Sequence, residues 1–507
     1  MSSKKLVKNT GFLYARMLIT MCIAFFTSRI LLQELGINDF GIYNIVGGIV
    51  AMFSSLRGAF ASSIQRFLNY EMGMDRNDEL KKIFSMSVTI HIIICIIFFV
   101  LAETIGYWFL NSKLNIAPER MEAAHWVFQF SILATLVTIM TIPYDAVIIA
   151  NEKMNIFAYI SILDVGLKLV IIFLLSWLDV DKLKLYAILV FLVSFIIRSI
   201  NSIYCKRTFQ ECRYSLFWDT KMFKKLGSFA GWNFFGNTAF TFVNEGLNIL
   251  LNIFGGTAAN AARGIAYQVR NATTSFTSNI QLAANPQIVK LYAQDKREEV
   301  FNILFITSKV SFYVLLIICL PVILYIEPLL KLWLGIVPEF SSIFIQLILL
   351  FLLVRVFHGA LDSLFKATGR IKEYQIIDGL ILLLTIPISY ILLRLGMPLS
   401  TVFVVMIVVE IINLFAILRI AKKIGQLNIS IYVKKVLFPC FSTLFVSGIL
   451  SYLISYHFEY KNFFILLLYI GCSMLVCSTS IWLIGLTNVE KAYLKSFIRN
   501  KIFRRSK

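Results

Sequence analysis

The fold is decided by residues 229–293, which read FAGWNFFGNTAFTFVNEGLNILLNIFGGTAANAARGIAYQVRNATTSFTSNIQLAANPQIVKLYA. Polar residues recur here at steps of three and four, which places them along one face of a helix on each side of Gly255 and Gly256. The stretch therefore predicts two long membrane helices joined by a tight turn at the two glycines. The polar row of the first helix contains Asn233, Asn237, Thr241, Asn244, Asn248 and Asn252, and the row of the second contains Asn260, Arg263, Tyr267, Arg270, Thr274, Ser278, Gln281 and Asn285.

These two polar rows bear on function. Polar groups at membrane depth cost free energy unless they face a bundle interior or a wet cavity. Two facing rows of amide and guanidinium groups therefore predict the wall of a water-filled chamber. As an alternative, the amides hold neighbouring helices together by interhelical hydrogen bonds. That alternative does not account for Arg263 and Arg270, which lie two turns apart in one row.

The composition indicates a multi-pass helical membrane protein. Apolar residues make up 59% of the 507 residues and come in repeated runs of about twenty, the length of a membrane-spanning helix. A formal charge of +20 would suggest nucleic acid as a partner of a soluble protein. Here lysine and arginine cluster at the ends of the apolar runs, so we expect a lipid bilayer and no nucleic acid. The cysteines and histidines form no metal-binding motif, so no metal site is predicted.

The apolar runs predict about fourteen membrane spans. Basic residues concentrate in every second loop, which predicts that both termini are cytoplasmic. The first apolar run is too long for a signal peptide and lacks a cleavage site, so we expect it to remain as an anchor. The spans are expected at residues 11–34, 40–66, 83–110, 121–144, 154–178, 184–205, 228–252, 257–288, 301–326, 341–365, 373–394, 399–420, 432–456 and 463–486.

An internal repeat relates the two halves of the chain. An offset of 220 residues pairs Gly36 with Gly256 and Asp75 with Asp295. Six spans therefore recur as six, which predicts an all-α membrane protein of two pseudo-symmetric six-helix lobes, with a binding site between them, plus two C-terminal helices. The predicted organisation is an N-lobe at residues 1–205, a cytoplasmic linker at 206–227, a C-lobe at 228–423, spans 13 and 14 at 424–486, and a basic cytoplasmic tail at 487–507.

Five arginines inside predicted spans are candidates for binding an anionic cargo. Guanidinium groups suit phosphate because they donate paired hydrogen bonds to it. Arg16 and Arg29 lie near the interfaces, where snorkelling to the headgroups is an equal alternative. Arg57, Arg263 and Arg270 complete the set. Arg57 and Arg270 fall near mid-depth, where snorkelling would need a long reach, so a functional role is favoured for them.

Acidic residues at membrane depth are few, and they are the candidates for binding a coupling ion. Glu245 borders the polar row of span 7, Asp164 lies one turn from Lys168 in span 5, and Glu410 lies midway along span 12. Each could equally neutralise a basic neighbour, and Asp164 and Lys168 are expected to form an internal pair. We predict no cofactor; transport would be coupled to H⁺ or Na⁺ or driven by the membrane potential. One face of span 10 also carries Arg355, His358 and Asp362.

Enzymatic motifs are absent from the sequence. It contains no Walker A, HExxH or GxSxG pattern, and no loop is long enough for a soluble catalytic domain. Asp179 and Asp181 form a D-x-D pattern, but in a very short loop predicted to lie outside the cytoplasm. We therefore expect a protein that is not an enzyme.

Four segments carry a family resemblance. They are LGINDFGIYNIVGG at residues 35–48, FAGWNFFGN at 229–237, NAARGIAYQV at 260–269 and NPQIVKLYA at 285–293. These segments resemble the O-antigen-type polysaccharide-biosynthesis flippases of the multidrug/oligosaccharidyl-lipid/polysaccharide exporter superfamily. The resemblance extends over essentially the whole chain and implies a MATE-like fold. It also implies that an undecaprenyl-diphosphate-linked oligosaccharide moves from the cytoplasmic to the periplasmic leaflet of the bacterial inner membrane by alternating access.

The same resemblance implies roles for individual residues. In such flippases, arginines on the first, second and eighth spans are thought to hold the pyrophosphate, a role that the five arginines would take here. It further implies a polysaccharide polymerase and chain-length machinery as partners. Hydrogen bonds and stacking to the sugars would come from Asn237, Asn244, Asn248 and Tyr267.

Two other functions remain open at this point. A MATE-type multidrug or cation exporter has the same fold, but it would be expected to centre on acidic residues in an apolar N-lobe pocket. An integral-membrane polysaccharide polymerase or ligase would be expected to carry a large periplasmic loop, and every outer loop here is short.

Overall fold

The computed structural model of the chain describes residues 9–23, 54–113, 116, 118–178, 180–334, 337–456 and 462–492, together with residues 27, 30–31, 34–35, 39 and 42–43. For residues 54–59, 77, 109, 113, 252, 256–258, 260–261 and 334 it describes the backbone alone. Over these ranges the structure is helical and contains no strand. The predicted all-α class is confirmed.

The helices are numbered in chain order. In the first half they are α1 (9–23), α2 (Ser54–Gly73), α3 (Asn77–Leu101), α4 (Tyr107–Lys113), α5 (Pro118–Ile139), α6 (Ile142–Ala150), α7 (Met154–Trp177) and α8 (Lys182–Thr208). They continue with α9 (Thr220–Ala293), α10 (Arg297–Leu324), α11 (Ile326–Leu334), α12 (Ser341–Thr368), α13 (Lys372–Leu383) and α14 (Thr385–Arg394). The last are α15 (Thr401–Gly425), α16 (Ile429–Tyr432), α17 (Phe438–Tyr456) and α18 (Phe463–Ser480).

Ten helical segments in the described ranges are long and apolar enough to cross a membrane. They match predicted spans 3–6 and 9–14 one for one, with ends that agree within a few residues. Predicted span 1 lies partly outside the described residues, and span 2 begins outside them. The ten segments are Asp78–Ser112, Pro118–Ala150, Met154–Trp177, Lys182–Thr208, Arg297–Leu324, Ser341–Thr368, Lys372–Arg394, Thr401–Gly425, Ile429–Tyr456 and Phe463–Gly485.

Local sequence explains where several helices begin. The Asp181 carboxylate accepts hydrogen bonds from the backbone N–H groups of Leu183 and Lys184 and so caps the start of α8. The fourth predicted span is interrupted between α5 and α6, and Pro143 lies in the first turn of α6. A proline is tolerated there because the first N–H groups of a helix have no intrahelical partner. The break therefore accommodates a proline that would disrupt a helix interior.

Helical backbone continues through all 74 residues of α9, yet this segment doubles back on itself. A straight helix would separate residues 244 and 267 by about 35 Å, because each residue adds about 1.5 Å. Instead, the Tyr267 hydroxyl donates a hydrogen bond to Asn244 Oδ1 at 2.9 Å. Residues 244 and 267 are equally far in sequence from the Gly255–Gly256 pair, so the chain must reverse its direction near these glycines. The predicted hairpin is therefore confirmed. We call residues 220–254 its first arm and residues 257–293 its second arm.

The internal repeat is visible in the turns that follow α2 and α9. Asp75 and Asp295, which the repeat pairs, both adopt a left-handed backbone conformation, with φ of 57° and 58°. In each turn this residue's N–H bonds to the carbonyl three residues earlier, and the next N–H bonds to the carbonyl five residues earlier. This pair of hydrogen bonds ends a helix at a left-handed residue. The repeat therefore extends to the backbone geometry of the turn.

The last residues of α2 and α9 are also in contact. Gly73 and Ala293 are separated by the repeat offset of 220 residues. A Cβ atom added at Gly73 would lie 2.5 Å from the Lys290 carbonyl oxygen and 2.7 Å from Ala293 Cβ. Those distances leave no space for a methyl group, so glycine permits this close approach. Nearby, Lys290 Nζ lies 3.2 Å from Glu152 Oε1.

The chain divides into two compact units. The first unit comprises Met1–Thr238 and Leu282–Arg297, and the second comprises Ala239–Gln281 and Glu298–Lys507. The base of the hairpin therefore belongs to the first unit, and its tip belongs to the second. The predicted lobe and linker boundaries remain predictions.

Candidate functional site

The two arms of the hairpin meet around Asn244 of the first arm. Its side-chain Oδ1 accepts hydrogen bonds from the Tyr267 hydroxyl at 2.9 Å and from Arg270 Nη1 at 3.4 Å. Its backbone oxygen accepts a hydrogen bond from Arg263 Nη2 at 2.6 Å. One asparagine therefore holds three polar side chains of the second arm, and the two polar rows face each other at this level. We call these four residues the hairpin cluster.

Aromatic rings complete the hairpin cluster. The guanidinium carbons of Arg263 and Arg270 lie 3.9 Å and 4.8 Å from the centre of the Tyr267 ring. The Phe240 ring lies 5.0 Å from the guanidinium carbon of Arg270. The face of an aromatic ring carries partial negative charge, so it stabilises a cation and replaces part of the lost hydration. Both guanidinium groups therefore contact the ring of Tyr267, which brings the two arginines to the same place.

Both guanidinium groups of the hairpin cluster are buried. Arg263 is 7% exposed and Arg270 is 9% exposed. Among the described residues, no acidic side chain lies within 4.0 Å of either group. Burying a charge costs several kcal/mol, which an ionic partner normally offsets. The cluster therefore holds two positive charges that neutral oxygens and rings compensate only in part.

The other candidates on the first arm lie closer to the surface. Asn237 is exposed, and Asn248 is half-buried. The Asn248 amide nitrogen lies 3.5 Å from Glu245 Oε2, which is longer than a well-formed hydrogen bond. Glu245 is itself exposed. The hairpin cluster thus includes Asn244 but not these three residues.

Of the three candidate arginines on spans 1 and 2, Arg16 has a described side chain. Arg16 lines a polar cavity of about 390 Å³ in the first unit. Its guanidinium carbon lies 5.0 Å from the centre of the Phe157 ring. Arg29 and the side chain of Arg57 lie outside the described residues. Arg16 belongs to a different unit from Arg263 and Arg270.

The coupling candidate Asp164 lines the same cavity as Arg16. Its Oδ2 lies 2.8 Å from Lys168 Nζ, so the predicted internal pair is confirmed. Both side chains are partly exposed, at 29% for Asp164 and 42% for Lys168. A partly exposed ion pair of this kind contributes little to stability.

The third coupling candidate, Glu410, is fully buried in the second unit. Arg355 Nη1 donates hydrogen bonds to Asp378 Oδ1 at 2.8 Å and to both Glu410 oxygens at 3.2 Å. His358 Nε2 lies 2.9 Å from Glu410 Oε1. The Asn413 amide donates to Asp378 Oδ1 at 2.7 Å. We call these five residues the ion network.

Only part of this network is predicted from the sequence. The predicted part is Glu410 and the face of span 10 that carries Arg355 and His358, whereas Asp378 and Asn413 are not predicted. The available signal was an acid and an amide inside apolar runs. Asp362, which was expected on the same face, forms its ion pair with Lys366 at 2.6 Å instead.

Comparison with known families adds an independent observation. The sequence model of the polysaccharide biosynthesis protein family matches residues 6–292, which is more than half of the chain. The model of the MatE family matches residues 234–391. No curated protein matches the sequence.

Several solved structures have a similar fold. A crystal structure of a MATE mutant superposes with a TM-score of 0.73 at 13% identity, covering 83% of this chain and 97% of that chain. An outward-facing multidrug resistance MATE family transporter of the MOP superfamily gives 0.71 at 13%, covering 84% and 96%. A MOP superfamily transporter from Pyrococcus furiosus, described with a binding pocket of reverse polarity that suggests a different function, gives 0.68 at 12%, covering 84% and 96%.

At these identities the solved structures show the fold, whereas the sequence match shows the family. Both agree with the expectation from the four sequence segments. The chain belongs to the polysaccharide biosynthesis protein family and has the MATE-like all-α membrane fold of MOP superfamily transporters.

Proposed function

We propose that this protein is a lipid-linked oligosaccharide flippase. Its cargo is an undecaprenyl-diphosphate-linked glycan, which it moves from the cytoplasmic to the periplasmic leaflet by alternating access, for O-antigen or capsule-type polysaccharide biosynthesis. The hairpin cluster carries the proposal, because its two buried guanidinium groups have no carboxylate partner among the described residues. Membership of the polysaccharide biosynthesis family supports the choice of pathway.

A diphosphate would supply the negative charge that the two guanidinium groups of the hairpin cluster lack among the described residues. Phosphate oxygens accept paired, charge-assisted hydrogen bonds from guanidinium groups. Arg263 and Arg270 are already largely removed from water, so binding an anion requires little further desolvation of the protein. Their side chains converge on the Tyr267 ring, which brings both charges to one place. In this proposal the amides of Asn237 and Asn248, nearer the surface, bind sugar hydroxyls.

The proposal includes a location and partners. The protein lies in the bacterial inner membrane with both termini in the cytoplasm, which the distribution of basic residues among the loops supports. A polysaccharide polymerase and chain-length machinery are its proposed partners, because they would act on the translocated product.

A multidrug or cation exporter is the second candidate, favoured by the MatE match and by the multidrug transporter of similar fold. A cationic cargo would meet two buried positive charges in the hairpin cluster. Coulomb repulsion at short range in a low-dielectric site amounts to several kcal/mol, which would oppose its binding. The charge of the cargo therefore distinguishes the two functions.

The test measures lipid binding to the purified protein in nanodiscs. We expect undecaprenyl diphosphate to bind and neutral undecaprenol not to bind. Replacing Arg263 and Arg270 together by alanine should weaken diphosphate binding by about tenfold or more, which corresponds to roughly 1.4 kcal/mol. The control is Arg394→Ala, which removes an exposed arginine at the end of α14 and should leave binding unchanged.

Two results would contradict the flippase proposal. One is full diphosphate affinity in the double variant. The other is preferential binding of a lipophilic cation such as tetraphenylphosphonium, which would favour the exporter.

A further inference from the structure

A cavity of about 230 Å³ lies in the second unit, next to the hairpin cluster along the second arm, and the proposed binding of a diphosphate leaves it unused. The polar row that contains Arg263, Tyr267 and Arg270 continues along the same face of this arm into the cavity wall. The polar residues of the arm that line the cavity are Thr274, Thr277, Ser278 and Gln281. Thr274 lies one helical turn from Arg270, a rise of about 6 Å, so the cavity begins where the proposed diphosphate site ends.

A second contact connects the cavity wall to the hairpin cluster. The centre of the Phe240 ring lies 5.0 Å from the guanidinium carbon of Arg270 and 5.7 Å from that of Arg355, which lines the cavity. One ring therefore lies beside a residue of the hairpin cluster and a residue of the cavity wall. A ligand with two covalently joined groups can occupy both sites at once.

The hydroxyl groups of the wall are oriented by the backbone of their own helix. Thr274 Oγ1 donates a hydrogen bond to the Arg270 carbonyl oxygen at 2.8 Å. Thr277 Oγ1 and Ser278 Oγ both donate to the Thr274 carbonyl oxygen, at 3.0 Å and 3.1 Å. A hydroxyl group has one proton, so a hydroxyl that donates in this way can only accept from a further partner. This wall therefore presents acceptors, which suit a ligand rich in O–H groups.

Two polar groups that line the cavity make no hydrogen bond within the described part of the chain. They are the side-chain amide of Gln281 and the hydroxyl group of Tyr374. Tyr374 is 5% exposed, and its ring stacks on that of Phe365 with 4.6 Å between the ring centres. A buried polar group without a partner costs free energy. Ordered water can satisfy such groups in the free protein, and a ligand with matching hydroxyl groups can replace that water.

Gly359 of α12 makes room for the Gln281 amide. A Cβ atom built at position 359 would overlap the Nε2, Cδ and Oε1 atoms of Gln281. Position 359 therefore has to lack a side chain for the amide to lie against α12. The amide is thus held where two helices that line the cavity meet.

The charged groups of the lining already have partners within the second unit. Arg355 and His358 contact the two carboxylates of the ion network. Asp362 forms its ion pair with Lys366. An ionic ligand would add an unmatched charge to this interior, which is costly. The lining therefore favours a neutral ligand.

The size and the remaining lining of the cavity narrow the class of ligand. Leu315, Leu352 and Val356 supply apolar surface beside the polar groups. At about 230 Å³ the cavity is smaller than the roughly 300 to 1,000 Å³ of pockets for drug-sized ligands. A single sugar ring suits this space, and a longer glycan does not. A sugar also matches the lining chemically, because its rim carries hydroxyl groups and its C–H faces are apolar.

We propose that this cavity, which we call the sugar subsite, binds the sugar that is joined directly to the diphosphate of the cargo. In a diphosphate-linked glycan the first sugar is bonded to the phosphate itself, and only one helical turn separates Arg270 from the start of the cavity. Gln281 and Tyr374 bind the hydroxyl groups of this sugar. The inference deepens the proposed function and rests on it for the diphosphate, whereas the sugar subsite rests on the lining of the cavity.

The first experiment compares three lipids on the purified protein in nanodiscs: undecaprenyl diphosphate, and the same lipid carrying one hexose or one N-acetylhexosamine. We expect at least one sugar-bearing lipid to bind about tenfold more tightly than the bare diphosphate, which corresponds to roughly 1.4 kcal/mol. Gln281→Ala deletes the amide and should remove this gain without changing the affinity for the bare lipid. The matched control is Gln294→Ala, at an exposed glutamine just after the end of the same helix, which should keep the gain.

Two further variants test the geometry of the sugar subsite. Tyr374→Phe removes only the hydroxyl and keeps the ring stacked on Phe365, so it should fold and should bind the sugar-bearing lipid several-fold more weakly. Gly359→Ala places a methyl group on the Gln281 amide and should lose the gain as well. Its control is Gly448→Ala, because a Cβ atom there meets no described atom within 4 Å, and binding should be unchanged.

The third experiment locates the sugar. Ser278→Cys places a thiol at an exposed position of the cavity wall. Its alkylation by a small neutral maleimide is measured against the unsubstituted protein, which reports the native cysteines. We expect the sugar-bearing lipid to slow alkylation of this thiol and the bare diphosphate not to slow it.

The outcomes separate the sugar subsite from the proposed function. Equal affinity for bare and sugar-bearing lipids, a gain that survives Gln281→Ala, or equal protection of Ser278→Cys by both kinds of lipid would overturn the subsite and leave the diphosphate site in place. If only the sugar-bearing lipid binds, and does so through Gln281, the subsite stands and the hairpin cluster is not a diphosphate site. Failure of all three lipids to bind would refute both.

Discussion

Arg270, which is buried, and Arg355, which is half-buried, are arginines of the same unit, and the centre of the Phe240 ring lies 5.0 Å and 5.7 Å from their guanidinium carbons, yet their partners differ. Arg355 donates to two carboxylates, whereas Arg270 contacts an amide oxygen and aromatic rings. A third cation, the buried Lys309, lies between these extremes, because it bonds to the single carboxylate of Glu490 at 2.7 Å. Burial alone therefore does not reveal what a cation does. The three cations differ in the number of carboxylates around them, and in the proposed function the one without a carboxylate receives the anion.

The largest effect should come from removing the cation with two carboxylates. Arg355→Met leaves Asp378 and Glu410 side by side without a counter-charge, and we expect a loss of about 3 to 5 kcal/mol in the free energy of unfolding. Unfolding in mixed micelles measures it. The control is Arg419→Met, at an exposed position on α15, which should change stability by less than about 0.5 kcal/mol. If the Arg355→Met and Arg419→Met variants are equally stable, the two carboxylates do not depend on Arg355 for their stability.

A smaller loss is expected at the cation with one carboxylate. Glu490→Gln leaves Lys309, which is 3% exposed, without its anion, and we expect a loss of about 2 to 3 kcal/mol. This is less than at Arg355 because Glu490 is itself 26% exposed. Glu327→Gln, which alters an acid outside the ion pairs of the described residues, serves as the control.

The ion pair of Lys309 and Glu490 predicts that the stability of the protein depends on pH. Burial raises the pKa of Glu490, but hydrogen bonds from Lys309 and Thr487 lower it more, so its pKa lies below the ordinary 4.5. A lowered pKa means that the carboxylate stabilises the fold above pH 4.5 and that this contribution is lost as pH falls through the folded-state pKa. The stability difference between wild type and Glu490→Gln should be constant near neutral pH and shrink on acidification. A difference that grows on acidification would contradict this sign.

Replacing Arg270, the cation without a carboxylate partner, should not destabilise the protein. Arg270→Met replaces a buried charge by an apolar side chain of similar length, so we expect stability to be unchanged or raised by up to about 2 kcal/mol. The thermal stabilisation that undecaprenyl diphosphate gives to the wild type should be lost in this variant. A strongly destabilised Arg270→Met protein would show that the arginine is structural.

The smallest effect concerns Tyr267. Tyr267→Phe removes the hydrogen bond to Asn244 Oδ1 but keeps the ring between the two guanidinium groups, so we expect a loss of about 1 kcal/mol and unchanged diphosphate binding. Tyr267→Leu removes the ring as well and should weaken binding several-fold. If the two variants bind equally, the ring does not organise the arginines.

Features of the chain that depend on local pattern could be predicted from the sequence. Ten spans, the hairpin at Gly255 and Gly256, and the pairing of Asp164 with Lys168 follow from hydropathy, helical period and short sequence distance. Each of these features depends on residues that are close together in the sequence, so it can be predicted without a structure.

Features that depend on distant partners could not be predicted in this way. Asp378 is one acid in an apolar run, and nothing in its neighbours indicates that it meets Arg355 and Asn413. Likewise, helical spacing places Asp362 near His358, but the side chain bonds to Lys366 one turn further on. For the same reason the sequence could not show that Arg16 and Asp164 line one cavity.

The contact between Gly73 and Ala293 has a consequence for how the two halves of the chain can change. Because the repeat equates these residues, each half presents the same structural position to the other, as in the self-matching contact of a two-fold dimer. A Cβ at position 73 would also lie 2.5 Å from the Lys290 carbonyl oxygen, so a smaller residue at position 293 would not by itself make room for it. Position 73 is therefore restricted to glycine by the backbone of its counterpart helix, whichever small residue stands at position 293.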